Sequence, residues 1–255
     1  MSASPSAPSP ETAAMPHEEE LKIVLGSKPE FIRWRTALGQ PERILQQLNF
    51  YLRPAQLSAS ASLSQENPLL LRIRTVTAGE EAETELTDAL ARRIISCSTN
   101  EAACAAWNEA MPPGCSIVFT LKQGIAQEGG YFRSIELEAP LTPQQAVQLL
   151  RGDLTVLEGT EPGDYLRQLQ LKRCQFLGIL LNTRCCYRRP QGEVWEMDLS
   201  HFPGRCDCEL EVEISEPQRQ RVLEDIRALA AELGTPIEFQ TKTKIERFLE
   251  ASGLL

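Results

Sequence analysis

Glu18-Glu19-Glu20-Leu21-Lys22-Ile23 opens the part of this chain that can pack. Side chains alternate between the two faces of a strand, so Glu18, Glu20 and Lys22 share one face while Leu21 and Ile23 share the other. A purely apolar core excludes the first set, and a purely solvated strand leaves the second unexplained. The segment reads as a strand, covering about residues 18–25, with a charged face and an apolar face.

The same alternation recurs along the chain. Arg72 and Arg74 oppose Leu71 and Ile73, and Glu136 and Glu138 oppose Ile135 and Leu137. Glu196 and Asp198 oppose Trp195 and Met197, and Glu209, Glu211 and Glu213 oppose Leu210, Val212 and Ile214. One wet face of an antiparallel sheet produces this pattern strand by strand. The sorting by sign is less ordinary, with carboxylates on some strands and guanidinium groups on others. Carboxylates gathered from several strands repel unless a cation lies among them, and Mg²⁺ or Mn²⁺ prefers oxygen ligands together with substrate phosphates. Arg72 and Arg74 carry planar forks suited to phosphate oxygens, and Lys22 and Lys122 add point charges. Together these describe a site for a metal–polyphosphate complex.

Around these strands the pattern predicts helices. Pro29 stands at the first position of one that carries Phe31, Trp34 and Leu38 and stops at Gly39. Pro41 predicts a second short helix with Ile44 and Leu45, before a strand at Asn49–Leu52. A long helical stretch runs from about Gly79 to Ala110, broken near Ser98-Thr99-Asn100, which can cap its second part. Its acidic Glu80-Glu81-Ala82-Glu83 reads as a solvated first turn. Strands follow at Ser116–Lys122 and Tyr131–Glu138, a helix from Pro143 to about Arg151, and strands at about 165–180, 183–189, 193–199 and 207–214. A periodic helix over 217–233 buries Val222, Ile226, Leu229 and Leu233 and stops at Gly234; a strand at Ile237–Phe239 and a helix at about 243–252 close the chain. About eight or nine strands in mostly sequential order fit an antiparallel meander or closed barrel better than a parallel sheet.

Composition bounds the partners. The chain has 255 residues, 42% of them apolar, with a net charge of −9. That charge argues against a general nucleic-acid surface, and no run of about 18 apolar residues predicts a membrane span. The eight cysteines form no CxxC pair and the only histidines are His17 and His201, so a zinc site is not expected; free thiols as core filler and a cytoplasmic location are. His201 reads as a loop residue. Residues 1–16, rich in Ser, Pro and Ala, read as a disordered tail without a secretory signal, and 17–255 as one domain.

Glu18-x-Glu20-x-Lys22 resembles the ExExK motif of the CYTH superfamily, the triphosphate tunnel metalloenzymes. Later segments keep that family's order. Arg72-Ile73-Arg74 resembles its R-x-R strand, Thr120-Leu121-Lys122 its S/T-L-K strand, and Arg133 through Glu138 its basic-then-E-x-E strand. Asn182-Thr183-Arg184 with Tyr187 is similar to its single-Arg strand, Met197-Asp198 and Glu209-Leu210-Glu211 to its ending, and Thr243-Lys244 to its closing segment. The resemblance runs from about 17 to 250 and departs in two places. Tyr51-Leu52-Arg53-Pro54 replaces the usual Tyr/Phe-Asp-Thr, and the stretch from about 77 to 114 is longer than usual, reading as a partner surface or inert insertion more readily than a lid.

The resemblance implies an α+β fold: an eight-stranded antiparallel closed β-barrel, or tunnel, with helices packed outside. It implies Mg²⁺- or Mn²⁺-dependent hydrolysis of a small triphosphate, whether inorganic tripolyphosphate, a nucleoside triphosphate or thiamine triphosphate. It places Glu18, Glu20, Lys22 and Glu211 in catalysis, and Lys22, Arg72, Arg74, Lys122, Arg133, Arg184 and Lys244 on the substrate. The metal falls to Glu18, Glu20, Glu136, Glu138, Asp198, Glu209 and Glu211. An adenylyl cyclase and a non-catalytic polyphosphate-binding module are the alternatives, and a homodimer is left open.

Overall fold

The computed structural model describes residues 17–56, 69–78, 99–111 and 114–254. The expected tail and most of the expected insertion lie outside these residues. Nine strands are described: β1 His17–Val24, β2 Arg43–Pro54, β3 Leu69–Ala78, β4 Ser116–Glu128, β5 Tyr131–Pro140, β6 Cys174–Arg188, β7 Val194–Phe202, β8 Arg205–Glu213 and the short β9 Glu238–Phe239. The helices are α1 Lys28–Leu38, α2 Asn100–Ala110, α3 Pro143–Leu150, α4 Glu161–Gln168, α5 Arg219–Leu233 and α6 Lys244–Ala251.

The first eight strands run in the order β5-β4-β3-β2-β6-β7-β8-β1, and β1 also pairs with β5, which closes an antiparallel barrel. Closure leaves the barrel proper no free edge. The β1–β5 pairing stops at Leu21↔Tyr131, and beyond it β9 pairs with Ile23 and Val24 along the same side of β1. The barrel is the α+β tunnel expected above.

Its faces are sorted inversely to an ordinary globule. The apolar face points out, under helices. Leu21, Ile23, Trp195, Leu210 and Val212 are buried against Phe31 and Trp34 of α1 and Val222 and Ile226 of α5. Phe50, Leu71, Ile73, Phe119 and Leu121 are buried against Trp107 of α2, Leu149 and Leu150 of α3 and Leu166 of α4. Phe50 and Trp107 meet at 5.1 Å between ring centroids. At about 1.5–3 kcal/mol for each large apolar side chain taken out of water, these outer layers supply most of the drive to fold. The charged face is thereby left lining the interior.

One helix does not lie outside. Ile245, Phe248 and Leu249 of α6 pack with Tyr51, Leu180 and Phe202 from the interior faces of β2, β6 and β7. Gly178 permits the approach, because a Cβ there would lie 2.3 Å from the Phe248 ring. Thr243 caps α6 in a capping box with Glu246, fixing Lys244 at its first turn.

Four expectations are corrected. Residues 43–45 are not helical but begin the twelve-residue β2, where Ile44 faces outward toward the α1 layer. The strand expected over 165–180 begins only at Cys174, because Glu161–Gln168 is the capped helix α4. The strand expected at 183–189 is the end of that same fifteen-residue β6, with no break at Asn182-Thr183. His201 is no loop residue: it is buried on β7, opposite Cys206. The expected cap at Ser98-Thr99-Asn100 takes the form of Thr99, whose hydroxyl accepts from the Ala102 amide at 3.1 Å. No described helix is long and apolar enough to cross a membrane.

Candidate active site

Strand parity delivers the charged residues into one cavity of about 710 Å³. Glu18, Glu20, Lys22, Arg72, Arg74, Lys122, Glu136, Arg184, Glu211 and Lys244 all line it. Register explains the assembly: Lys22 lies opposite Glu211, Lys122 opposite Glu136, and Arg184 opposite Asp198.

Two charge clusters result. In the first, the Lys122 ammonium lies 2.5 Å from Glu18, 2.7 Å from Glu20 and 3.1 Å from Glu136. Arg72 donates to Thr120 at 3.1 Å and to Glu136 at 3.3 Å. In the second, Lys244 lies 2.5 Å from Asp198, 2.5 Å from Glu209 and 2.9 Å from Glu211. Arg184 donates to both oxygens of Asp198 at 2.8 and 2.6 Å and to Glu211 at 2.5 Å, and it also pairs with Glu196. Lys22 joins the clusters, 2.8 Å from Glu20 and hydrogen-bonded to Glu211.

Titration follows from this packing. Burial opposes charge on Glu211, but Lys22, Lys244 and Arg184 outweigh it and hold the carboxyl well below the usual range. Asp198 is likewise held low by Arg184 and Lys244 against the cost of burial. Glu18 goes the other way: burial, a hydrogen bond with Glu136 and the Glu20 charge push it up to about 8. Its neighbour Glu136 is held the other way, below the usual range, by Glu18, Lys122 and Arg72 against the cost of burial.

The Glu18 shift makes a prediction for the metal-free protein. An acid whose folded pKa lies above its unfolded one binds more protons when folded, so its contribution to stability declines as pH rises. Between pH 4.5, the ordinary glutamate value, and about 8, Glu18 should make the native state progressively less stable. Denaturant titrations of the wild type and Glu18→Gln across this window should show a decline in the first that is shallower in the second. Equal slopes would remove Glu18 from the account.

The seven expected metal ligands do not form one set. Among the described residues only Asp198, Glu209 and Glu211, all buried, offer oxygens within 4.8 Å of one another. Glu18, Glu20 and Glu136 surround Lys122 instead. Glu138 is exposed and touches the first cluster only through Thr120, from which it accepts at 2.9 Å. The Asp198–Glu209–Glu211 triad fits an oxygen-preferring divalent ion, and the Lys244 ammonium in contact with all three shows the place already selects positive charge.

Among the expected substrate residues, Arg133 stands apart. It is three positions from Glu136 and so faces outward; it sits at the cavity mouth with its guanidinium 3.5 Å from Glu19 on the outer surface. Arg74 points in, and among the described residues it has no carboxylate partner; its Nε donates to Asn49 at 2.8 Å. Burial, with Arg72 and Arg184 nearby, lowers its pKa to about 10. Two further cavity residues were not among the expected site residues: Glu196, which shares the charged face of its strand with Asp198, and Tyr51, whose expected strand Asn49–Leu52 offered no charged residue to count from.

No protein-family model and no curated protein sequence matches this chain. Solved structures do. A candidate adenylyl cyclase from Hippeastrum with a dominant triphosphatase activity superposes with a TM-score of 0.66 at 21% identity, over 93% of this chain and 97% of that one. A candidate adenylate cyclase from Bacillus halodurans superposes with a TM-score of 0.57 at 22% identity, over 91% and 98%. The PH1819 protein of Pyrococcus horikoshii OT3 gives 0.52 at 13% identity, over 91% and 98%. Over nine-tenths of its length, this chain therefore shares the fold of these proteins, a closed eight-stranded tunnel with helices packed around it.

Proposed function

We propose that this protein hydrolyses a small triphosphate inside the tunnel, with Mg²⁺ or Mn²⁺ as cofactor. The observation that carries the reading is a guanidinium in the cavity wall, Arg74, with no carboxylate partner among the described residues, sharing that cavity with Glu211 of the buried acid triad Asp198–Glu209–Glu211. A buried, unneutralised cation is costly unless an anion is to arrive. The triphosphatase activity named for the Hippeastrum protein supports the same reading.

In this reading Arg72, Arg74 and Lys122 take the phosphate oxygens, and Lys22 and Arg184 hold Glu211 charged and aligned. Asp198, Glu209 and Glu211 would hold the divalent ion, which when bound neutralises phosphate charge and polarises a phosphoryl oxygen. Hydrolysis forms a P–O bond from water to the terminal phosphorus and breaks the bridging P–O bond. The leaving diphosphate keeps that electron pair, and the water proton passes to solvent or a phosphate oxygen. Such reactions ask the protein chiefly for positioning and charge, which this tunnel supplies. The described cysteines are all free, which supports a reducing, cytoplasmic setting.

The test is a panel of inorganic tripolyphosphate, nucleoside triphosphates and thiamine triphosphate, each with Mg²⁺, Mn²⁺ or chelator, scored for phosphate and for cyclic AMP. Metal-dependent phosphate release from at least one substrate is expected. Cyclic AMP as the main product from ATP would favour the cyclase, and binding without turnover at either metal would favour a binding module.

A further inference from the structure

The three tunnel arginines are held in different ways. Arg184 is gripped by the carboxylates of Asp198, Glu196 and Glu211, and Arg72 is paired with Glu136. Arg74 is held by a neutral amide. Asn49 faces it directly across the β2–β3 ladder, is 1% exposed, and accepts from Arg74 Nε at 2.8 Å.

The amide is itself fixed. Asn49 Nδ2 donates to the Leu180 carbonyl of β6 at 3.5 Å, so the oxygen is the end presented to Arg74. A donor on one side and an acceptor on the other leave a single sensible orientation. With Nε engaged, the two terminal nitrogens of the fork have no acceptor among the described residues, and Arg74 lines the cavity. A carboxylate in place of the amide would hold the guanidinium as well, but would neutralise it.

We propose that Asn49 is a positioning residue for Arg74, which orients the guanidinium in the tunnel wall while leaving its charge free for an oxygen of the polyphosphate. This rests on the triphosphate reading above and adds to it the reason for a neutral residue at position 49.

The test is calorimetric titration with inorganic tripolyphosphate in metal-free buffer, joined to steady-state kinetics with Mn²⁺. The proteins are the wild type, Asn49→Asp, Arg74→Gln and the double variant. Asn49→Asp keeps shape and acceptor and adds one negative charge, so its affinity should fall on the order of tenfold, as a rise in KM with kcat little changed. In the Arg74→Gln background the same substitution should change affinity less than about twofold, because the group it neutralises is gone. If Asn49→Asp does not fold, Asn49→Leu removes the acceptor without adding charge, and its KM should rise only while Arg74 is present. Asn49→Asp binding like the wild type, or an equal loss with and without Arg74, overturns the role while leaving the triphosphate reading standing. A wild type that neither binds nor turns over tripolyphosphate or the other triphosphates of the panel overturns both.

Discussion

Replacing Glu211 with Gln should lower triphosphate turnover on the order of a thousandfold, because in the proposed reading this carboxylate would serve the metal and it also holds three cations. Glu211 is nearly fully buried and contacts Lys22, Arg184 and Lys244. The amide is isosteric but neutral. It is a poor partner for a divalent ion, and its NH₂ end faces an ammonium. The stability cost should be smaller, about 2 kcal/mol, because Lys22 keeps Glu20, and Lys244 and Arg184 keep Asp198. Phosphate release per folded molecule, with the folded fraction fixed by a thermal melt, separates the two effects. A variant within tenfold of wild type would take Glu211 out of catalysis.

The second large effect is on stability alone. Gly163 sits in the first turn of α4, where Thr160 accepts from its amide at 3.2 Å. A Cβ there would lie 1.9 Å from the Leu157 carbonyl oxygen, and the obstacle is backbone that cannot swing aside. Gly163→Ala should therefore cost about 3 kcal/mol or more, and lower Tm on the order of 10 °C. Because α4 packs on the outer wall through Leu166, kcat of the folded fraction should be unchanged. A melt within about 2 °C of wild type would mean that the turn before α4 relaxes freely.

These two residues mark how far the sequence is legible. Glu211 is found by counting in twos along a strand, and the same count places Glu18, Glu20, Lys22, Arg72 and Arg74 on the interior. The rule works because each outer face is covered by helices, so the inner face is what remains. The same count sets Arg133 apart from the other expected substrate residues: at an odd separation from Glu136, it reaches the cavity only at its mouth, beside Glu19. Gly163 is not legible as a constraint, because a glycine in a first turn signals nothing until a carbonyl from another segment is seen beside it.

The other misreadings have similar causes. Ile44 and Leu45, adjacent and apolar, suit a helix as well as a strand covered on its outer side, and Pro41 tipped the reading to a helix. Asn182-Thr183 has the composition of a turn, yet both side chains are satisfied inside the barrel wall, with Asn182 bonded to Gln47 and Ser200 and Thr183 to Gln46. Periodicity carries no information on such cross-strand amide pairs. The division of the acids into a triad at Lys244 and a separate group at Lys122 depends on register and on α6 entering the barrel, and neither is local in sequence.

The central claim is that one cavity holds a divalent ion on its acids and a triphosphate on its arginines. Crystals grown with Mn²⁺ and a non-hydrolysable imidotriphosphate, with anomalous diffraction collected at the manganese edge, test it most directly. The predicted result is manganese coordinated by Asp198, Glu209 and Glu211, with the phosphate chain against Arg72 and Arg74. Manganese bound elsewhere, or a phosphate chain on the outer surface with the tunnel still closed by its own ion pairs, would contradict it.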